Sequence, residues 1–130
     1  FIPVIVRKFF YAKDEIVVFG SGNQRRSFLH VGDAARALIF LAKNGESAQV
    51  YNIDPHDEHT VEEVVYEIQR IMDKGDVRIV FDTTKPEGPT RRILDNTKIT
   101  TLGWKNKHTL IKSLPEIVRD IVTRLSHERT

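Results

Sequence analysis

Apolar residues along the chain recur at two different spacings, which predict a mixture of helices and short strands. Intervals of three and four residues are typical of amphipathic helices, and short β-branched runs are typical of strands. The helical spacing predicts helices over residues 1–13, 32–44, 61–73, 95–102 and 113–125. The β-branched runs predict strands over residues 15–19, 27–31, 49–53 and 77–81. This order of elements favours a small mixed α/β fold, with residues 1–130 as one domain or a large piece of one.

Two helices are expected to begin with a capping box, in which a hydroxyl and a carboxylate three residues later satisfy each other's backbone N–H groups. Thr60 and Glu63 form one such pair before the 61–73 helix. Ser113 and Glu116 form the other, which would place Pro115 in the tolerated first turn of the last helix.

The expected helix ends are marked by glycines. Gly45 is expected to end the 32–44 helix as a left-handed cap, and Gly103 to close the 95–102 helix. Trp104 follows directly and is expected to be a buried anchor. Residues 126–130 are expected to be a frayed, solvated end.

The composition is that of an ordinary globular protein, with 40% apolar and 29% charged residues. The net charge is only +2 and no block of like charge occurs, which argues against a nucleic-acid partner. No apolar run approaches the roughly 20 residues of a membrane span, so no membrane partner is expected either. The absence of cysteine excludes disulfide and thiolate chemistry and fits a cytoplasmic location.

The beginning of the chain does not have the pattern of a signal peptide. Its apolar residues 1–6 precede Arg7 and Lys8, whereas a signal peptide carries its positive charge first. The first residue is Phe1 rather than Met, which predicts that the chain starts within a longer protein.

The glycine-rich turn at residues 20–22 does not match a dinucleotide-binding loop. Such a loop requires a third glycine where Arg25 stands, followed directly by a helix. A hairpin turn between the two flanking strands is the favoured interpretation. Neither a Walker-type phosphate loop nor a Gly-x-Ser-x-Gly elbow occurs in the sequence.

Histidines and acidic residues cluster at residues 54–59, where a divalent metal could in principle bind. His56 and His59 are three residues apart in a loop, however, and not on a helix face with the spacing of known catalytic metal sites. We therefore expect no metal. His30 is expected to be a hydrogen-bonded structural residue and not a catalyst.

Positive charge is concentrated at two turns, and this is the strongest chemical signal. Arg26 follows Arg25 after the first turn, and Lys85 precedes Arg91 and Arg92 at the second loop. Arginine presents a planar fork to phosphate oxygens, and lysine adds a mobile point charge. If these basic side chains lie close together in the fold, they would hold a pyrophosphate. If they lie apart, each would be a solvated surface charge.

The order of these segments resembles the extended short-chain dehydrogenase/reductase family, specifically its NAD-dependent epimerase/dehydratase group. The resemblance covers nearly the whole chain and includes Phe-Ile-Pro-Val-Ile-Val-Arg-Lys at 1–8, Val-Phe-Gly-Ser-Gly at 18–22 and Arg-Ser-Phe-Leu-His-Val-Gly-Asp at 26–33. The run Phe-Asp-Thr-Thr-Lys-Pro-Glu-Gly at 81–88, with Leu-Gly-Trp at 102–104, is similar to the GDP-L-fucose synthase branch. The resemblance implies the substrate-binding, carboxy-terminal part of such an enzyme, with its Rossmann domain largely absent.

The resemblance also implies substrate-binding roles for six residues. Arg26 would contact the pyrophosphate, Lys85 would lie near the nucleotide, and Arg91 would be a weaker candidate. Phe19 matches a position where an aromatic ring, often Trp, packs near the base, so UDP and dTDP sugars stay open beside GDP sugars. The remaining two, Phe1 and Ile5, would line the nucleotide pocket. The family commonly has Asp where Gly32 stands and Gly where Asp54 stands.

The family's catalytic Tyr-x-x-x-Lys pair is missing from this sequence. Tyr11, Tyr51 and Tyr66 are followed at that spacing by Glu15, Pro55 and Arg70. The chain alone is therefore expected to be inactive and to bind no cofactor, while the parent enzyme would use NAD or NADP. Its expected partners are a nucleotide-diphosphate sugar, its own missing Rossmann domain and further copies of itself. The alternatives are a non-catalytic binding or assembly module for a protein partner and, more weakly, a nucleic-acid binder.

Overall fold

A computed structural model describes residues 1–128 as helices and short strands arranged around two small sheets. The elements in chain order are α1 (Ile2–Tyr11), β1 (Glu15–Phe19), β2 (Arg25–Ser27), α2 (Val31–Asn44), β3 (Glu58–Thr60), α3 (Val61–Ile71), β4 (Arg78–Asp82), β5 (Arg91–Arg92), α4 (Thr97–Thr101) and α5 (Leu110–His127). The mixed α/β class predicted from the sequence is confirmed.

The first sheet contains β1 and β4 in parallel, and the second contains β3, β2 and β5 in that order. In the second sheet β2 runs antiparallel to β3 and parallel to β5. The hairpin predicted between β1 and β2 is wrong, because the two strands belong to different sheets. The glycine-rich turn connects the sheets instead, and Gly20 and Gly22 have the positive φ values, 90° and 84°, that such a crossing requires.

The main core lies where α1, α3 and α5 pack together beside the first sheet. Val64, Val65 and Ile68 of the α3 stripe are fully buried there, as are Phe9 of α1 and Leu114 of α5, while Ile71 at the end of α3 is only partly buried. The capping box of α3 is confirmed: the Thr60 hydroxyl accepts from the Glu63 N–H at 3.0 Å, and the Glu63 carboxylate accepts from the Thr60 N–H at 2.9 Å. Because this cap and stripe are local, the sequence pattern alone was enough to place the helix.

A smaller core lies under α2 and is formed by Ala37, Ile99 and Trp104. Trp104 is 3% exposed, which confirms it as a buried anchor. Gly103 has a φ of 101° directly after the α4 region, as the prediction of a glycine stop there requires.

The second predicted capping box is wrong, because α5 begins at Leu110 and not at Ser113. The Leu110 N–H donates to the carboxylate of Asp57, so a distant acid satisfies this helix start. Ser113 instead donates to the carbonyl of Thr109 at 2.9 Å, and Pro115 lies inside the helix.

Two further expectations about chain ends and helix ends need correction. Gly45 ends α2 with an extended φ of −75°, so the left-handed cap is wrong. The helix α5 continues through His127, so residues 126 and 127 are not frayed; Arg129 and Thr130 lie outside the described residues.

Two of the predicted strands are also displaced or missing. The strand predicted at 27–31 is β2 at Arg25–Ser27, because His30 already caps α2. Residues 49–53 form no strand, since no described segment pairs with them, and Val50 is 79% exposed.

One face of α2 carries an exposed apolar stripe. Its members are separated by four, three and four residues and therefore share one side of the helix: Val31, Ala35, Leu38 and Ala42. Val31 is 78% and Leu38 is 63% exposed, so α2 is apolar on two faces and buries only one of them. Among residues 1–128, no helix has the length and apolarity needed to cross a bilayer.

Candidate functional site

A cavity of about 320 Å³ opens at the junction of the two sheets, and we call it the junction pocket. It is lined by Phe1, Phe19, Gln24, Arg26, Ser27, Phe28, Val61, Pro86 and Glu87. Three residues that the family resemblance implicated, Phe1, Phe19 and Arg26, therefore lie together although they come from separate elements.

Aromatic rings supply the apolar surface of the junction pocket. The rings of Phe1 and Phe28 lie 6.0 Å apart between centroids, and Phe19 is 57% exposed. The Lys8 ammonium lies 5.2 Å from the centroid of the Phe19 ring and also donates to the Val17 carbonyl. A planar, electron-rich group could therefore stack on Phe19 with a cation beside it.

Arg26 is the basic residue of the junction pocket. Its Nη1 donates to the carbonyl of Arg25 at 2.8 Å, and no carboxylate among residues 1–128 forms an ion pair with it. Since a guanidinium has five N–H donors, most of this one stays available to an anion. This arrangement is suited to holding phosphate oxygens.

Its neighbour Arg25 and the more distant Arg91 both bind Glu58. Arg91 donates to the Glu58 carboxylate from Nη2 at 2.9 Å, and Arg25 donates to it from Nε. The three side chains lie on strands β3, β2 and β5, so the cluster fixes the register of the second sheet. The structure thus gives Arg91 a structural partner outside the junction pocket.

Stability should depend on Glu58 at acidic pH. The hydrogen bonds from Arg91 and then Arg25 lower the pKa of Glu58 from its ordinary 4.5 to about 2. A carboxyl with a depressed folded-state pKa stabilises the fold fully above its unfolded-state pKa and loses that contribution as pH falls through the folded-state value. We therefore expect the midpoint temperature of thermal unfolding to decrease as the pH is lowered from about 4.5 to 2. The part of this decrease that is due to Glu58 should be absent in Glu58→Gln.

Comparing the midpoints of wild type and Glu58→Gln at pH 6, 4 and 3 isolates this effect from other acids. Glu116→Gln, on the exposed side of α5, is the matched control. An equal midpoint difference between wild type and Glu58→Gln at every pH would contradict the assignment.

Glu87 attaches the loop after β4 to the glycine-rich turn. Its Oε2 accepts from the Ser21 N–H at 2.6 Å and from Gln24 Nε2 at 3.0 Å, and the bonds from Ser21 lower the pKa of Glu87. A Cβ at Gly20, whose φ is 90°, would lie 2.5 Å from Glu87 Cβ, so glycine is favoured at this position. The turn is therefore filled by protein side chains.

Gln24 and Glu87 were not singled out from the sequence. Glu87 stands within the run that carried the resemblance, but nothing in its spacing indicated a contact with residues 21 and 24. Gln24 is 3% exposed, and its Oε1 has no hydrogen-bond partner within residues 1–128. A buried polar residue in a polar stretch leaves no periodic signal.

Neither Lys85 nor Ile5 lines the junction pocket. Lys85 is exposed on the loop, one residue before Pro86, and its charge contributes after Thr84 to lowering the pKa of Asp82. Ile5 is 3% exposed within the main core, so packing is its observed role.

Asp54 connects β2 of the second sheet to the segments around residues 56 and 94. It is 5% exposed and accepts from the Ser27 hydroxyl at 2.8 Å, from the His56 N–H at 2.7 Å and from the Leu94 N–H at 3.2 Å. These three bonds explain why an acid can stand where the resemblance implied a glycine. They also fix the chain directly after Arg26.

The histidines of the sequence have structural partners. His56 Nε2 lies 3.2 Å from the Leu94 carbonyl, and His59 lies against Asp57 and Glu63. In the part of the chain that the structure describes, no group of three or more potential metal ligands converges. His30 accepts from the Gly32 N–H at 3.1 Å and caps α2, which confirms its structural role.

Comparison with known proteins connects these features to one family. The sequence model of the NAD-dependent epimerase/dehydratase family matches residues 1–54. A putative GDP-L-fucose synthase 2 of Arabidopsis thaliana is 37% identical over 120 residues, which are 88% of this chain and 36% of that protein. A GDP-L-fucose synthase of Sinorhizobium fredii is 32% identical over 130 residues, covering 96% of this chain and 41% of that protein.

The fold is shared as well. The crystal structure of a GDP-L-fucose synthetase from Naegleria fowleri bound to NADP matches 96% of this chain with a TM-score of 0.86 at 26% identity, and 40% of its own chain is covered. This chain therefore spans about two fifths of the length of the three relatives named here.

Proposed function

We propose, because the chain belongs to the NAD-dependent epimerase/dehydratase family, that it forms the nucleotide-sugar-binding portion of a sugar epimerase or reductase of the GDP-L-fucose synthase type. The observation that carries the proposal is the junction pocket, where Arg26, without a carboxylate partner among residues 1–128, lies with Phe1 and Phe19. One cation and two exposed rings suit the diphosphate and the base of a nucleoside diphosphate.

In this proposal the base and the diphosphate of the ligand contact different residues of the junction pocket. The base stacks on Phe19, with Lys8 beside the ring, and the diphosphate is held by the fork of Arg26. Lys85, exposed on the adjoining loop, adds a mobile charge near the nucleotide. Arg91 supports the site indirectly, because its bond to Glu58 keeps β5 beside the strand of Arg26.

The chain's own residues do not fit a dinucleotide cofactor. Its one glycine-rich turn continues into β2 and is occupied by the side chains of Gln24 and Glu87. A dinucleotide loop would instead open onto a helix N-terminus and leave backbone N–H groups free for the pyrophosphate. NAD(P) binding and the reacting tyrosine are therefore assigned to the remainder of the parent enzyme, and this chain binds and orients the substrate.

The cofactor-binding half is proposed to pack on the exposed apolar stripe of α2 and on residues 49–53. The stripe has the spacing of one helix face, and Val50 is exposed in a segment that pairs with no strand among residues 1–128. Docking there would bury the stripe and give residues 49–53 a neighbouring strand. Self-association through the same stripe is the proposed route to a homo-oligomer of this chain.

Nucleoside diphosphates test the proposal directly. A ligand that binds only the folded chain raises its stability by RT ln(1 + [L]/Kd), which is about 1.4 kcal/mol at ten times Kd. We expect GDP to raise the midpoint of thermal unfolding, with smaller effects of UDP and dTDP at equal concentration. If UDP or dTDP raised the midpoint more than GDP, the base preference would be for that nucleotide and not for guanine. If none of the three raised the midpoint, the proposal would be refuted.

The rival function is a non-catalytic assembly module, and the exposed stripe of α2 is the observation in its favour. The same experiment separates the two, because a module that uses only this stripe gains no stability from nucleotides. Leu38→Gln is the matched variant: it weakens docking or self-association through the stripe while leaving GDP stabilisation intact, since Leu38 does not line the junction pocket.

A further inference from the structure

A second cavity lies against α2 and has no residue in common with the junction pocket. We call it the α2 cavity; its volume is about 340 Å³, and it is lined by Arg36, Ile39, Phe40, Lys43, Asn44, Gly103, Trp104 and Lys105. Three of these residues are cations, contributed by α2 and by the segment after α4.

Arg36 is held rigidly at this cavity. Its Nη1 pairs with the carboxylate of Asp33, which is 1% exposed, and its Nη2 donates to the Lys105 carbonyl at 3.2 Å. Two of the five N–H donors of the guanidinium are used in this way, so others stay available. Among residues 1–128, Lys43 and Lys105 form no ion pair, and the cavity therefore holds more positive charge than Asp33 neutralises.

Trp104 also lines this cavity, and its buried indole nitrogen is an unsatisfied donor. Its side chain is 3% exposed, and its indole Nε1–H has no acceptor within residues 1–128. A buried donor left without an acceptor is destabilising, and such a group in a native protein generally finds an acceptor in a bound water, ion or ligand.

We propose that the α2 cavity binds a small phosphate-bearing anion. A phosphate presents several strong acceptor oxygens and charge that suits one fixed guanidinium and two mobile ammonium groups. After a small side-chain shift, one oxygen accepts from Trp104 Nε1, while the others face Arg36, Lys43 and Lys105. Phe40 and Ile39 border the cavity and would contact an apolar substituent of a phosphate ester.

The protein contains a built-in reporter for this site. Trp104 is the single tryptophan of the chain, so its fluorescence reports on the α2 cavity and not on the junction pocket. Inorganic phosphate is titrated into the chain while chloride keeps the ionic strength constant. We expect a saturable change in the intensity or wavelength of the Trp104 emission.

Variants of the two lysines give the decisive comparison. Lys43→Gln with Lys105→Gln should weaken phosphate binding on the order of tenfold, which corresponds to about 1.4 kcal/mol. The matched control is Lys13→Gln with Lys112→Gln, two exposed lysines outside the cavity, which should bind phosphate as wild type does. Arg26→Gln should also leave the signal unchanged, so the result is independent of the junction pocket.

Two outcomes would overturn the proposal. One is a fluorescence change that chloride alone reproduces, because it would reflect ionic screening. The other is unchanged phosphate affinity in the Lys43→Gln, Lys105→Gln variant. Trp104→Phe, followed by phosphorus NMR instead of fluorescence, removes the indole donor while keeping an aromatic side chain; equal affinity in this variant would exclude Nε1 as a ligand-binding donor.

Discussion

Asp33→Asn should lower the free energy of unfolding by about 3 kcal/mol, the largest stability effect expected of a single conservative change in this chain. Asp33 is 1% exposed and accepts from the Lys107 N–H at 3.0 Å and the His108 N–H at 2.9 Å. Burial raises the pKa of this carboxyl, but the N–H groups of His108 and Lys107 outweigh it and hold the pKa below its ordinary value. An amide would lose the charge and point a donor at other donors.

Denaturant unfolding of wild type and Asp33→Asn measures the difference. Asp76→Asn is the matched control, since Asp76 is exposed and should change the free energy of unfolding by less than about 0.5 kcal/mol. A loss below about 1 kcal/mol for Asp33→Asn would show that the junction between α2 and residues 107–108 is less important than its geometry indicates.

Arg26→Gln should weaken the binding of GDP roughly thirtyfold, because a hydrogen bond between two charged groups contributes about 2 kcal/mol. The substitution removes the cation of the junction pocket while keeping a polar side chain of similar length. The GDP affinity of Arg26→Lys should fall between those of wild type and Arg26→Gln, since an ammonium restores the charge but not the planar fork. Titration calorimetry of the chain with GDP measures all three affinities.

The control for this series is Arg119→Gln, an exposed arginine of α5 outside the junction pocket. It changes net charge by the same amount, so any loss common to both variants is a long-range electrostatic effect. Equal GDP affinity in wild type and Arg26→Gln would remove Arg26 from the proposed diphosphate contact.

Local patterns predicted the helices well because their signals lie within one segment. The stripe of Val64, Val65 and Ile68 and the cap at Thr60 are complete within the helix they define. Strand pairing is not local: β1 pairs with β4, whose sequence lies beyond α3, and nothing within residues 15–19 specifies that partner. Residues 49–53 illustrate the same limit. Their sequence favours a strand, but no strand among residues 1–128 pairs with them, so they form none.

The residues of the candidate site were expected in part from the family resemblance and not from a local pattern. The resemblance brought Arg26, Phe1 and Phe19 together, and the structure places them around one pocket. Arg25 and Arg91 have the same guanidinium group as Arg26, but both form ion pairs with Glu58. They do so because the strand order β3-β2-β5 places three distant segments side by side. Which arginine stays available to a ligand is decided by tertiary neighbours and not by residue type.

The two apolar faces of α2 have a consequence for how the protein opens. One face rests on the small core of Ala37, Ile99 and Trp104, and the other, with Leu38, is exposed. Helices with few buried contacts belong to the least protected cooperative units of a fold, whose amide protons exchange with solvent through local opening. In this chain the amide protons of α2 should exchange faster than those of α3, whose Val64, Val65 and Ile68 are fully buried. A partner that covers the outer face of α2 should slow the exchange of α2.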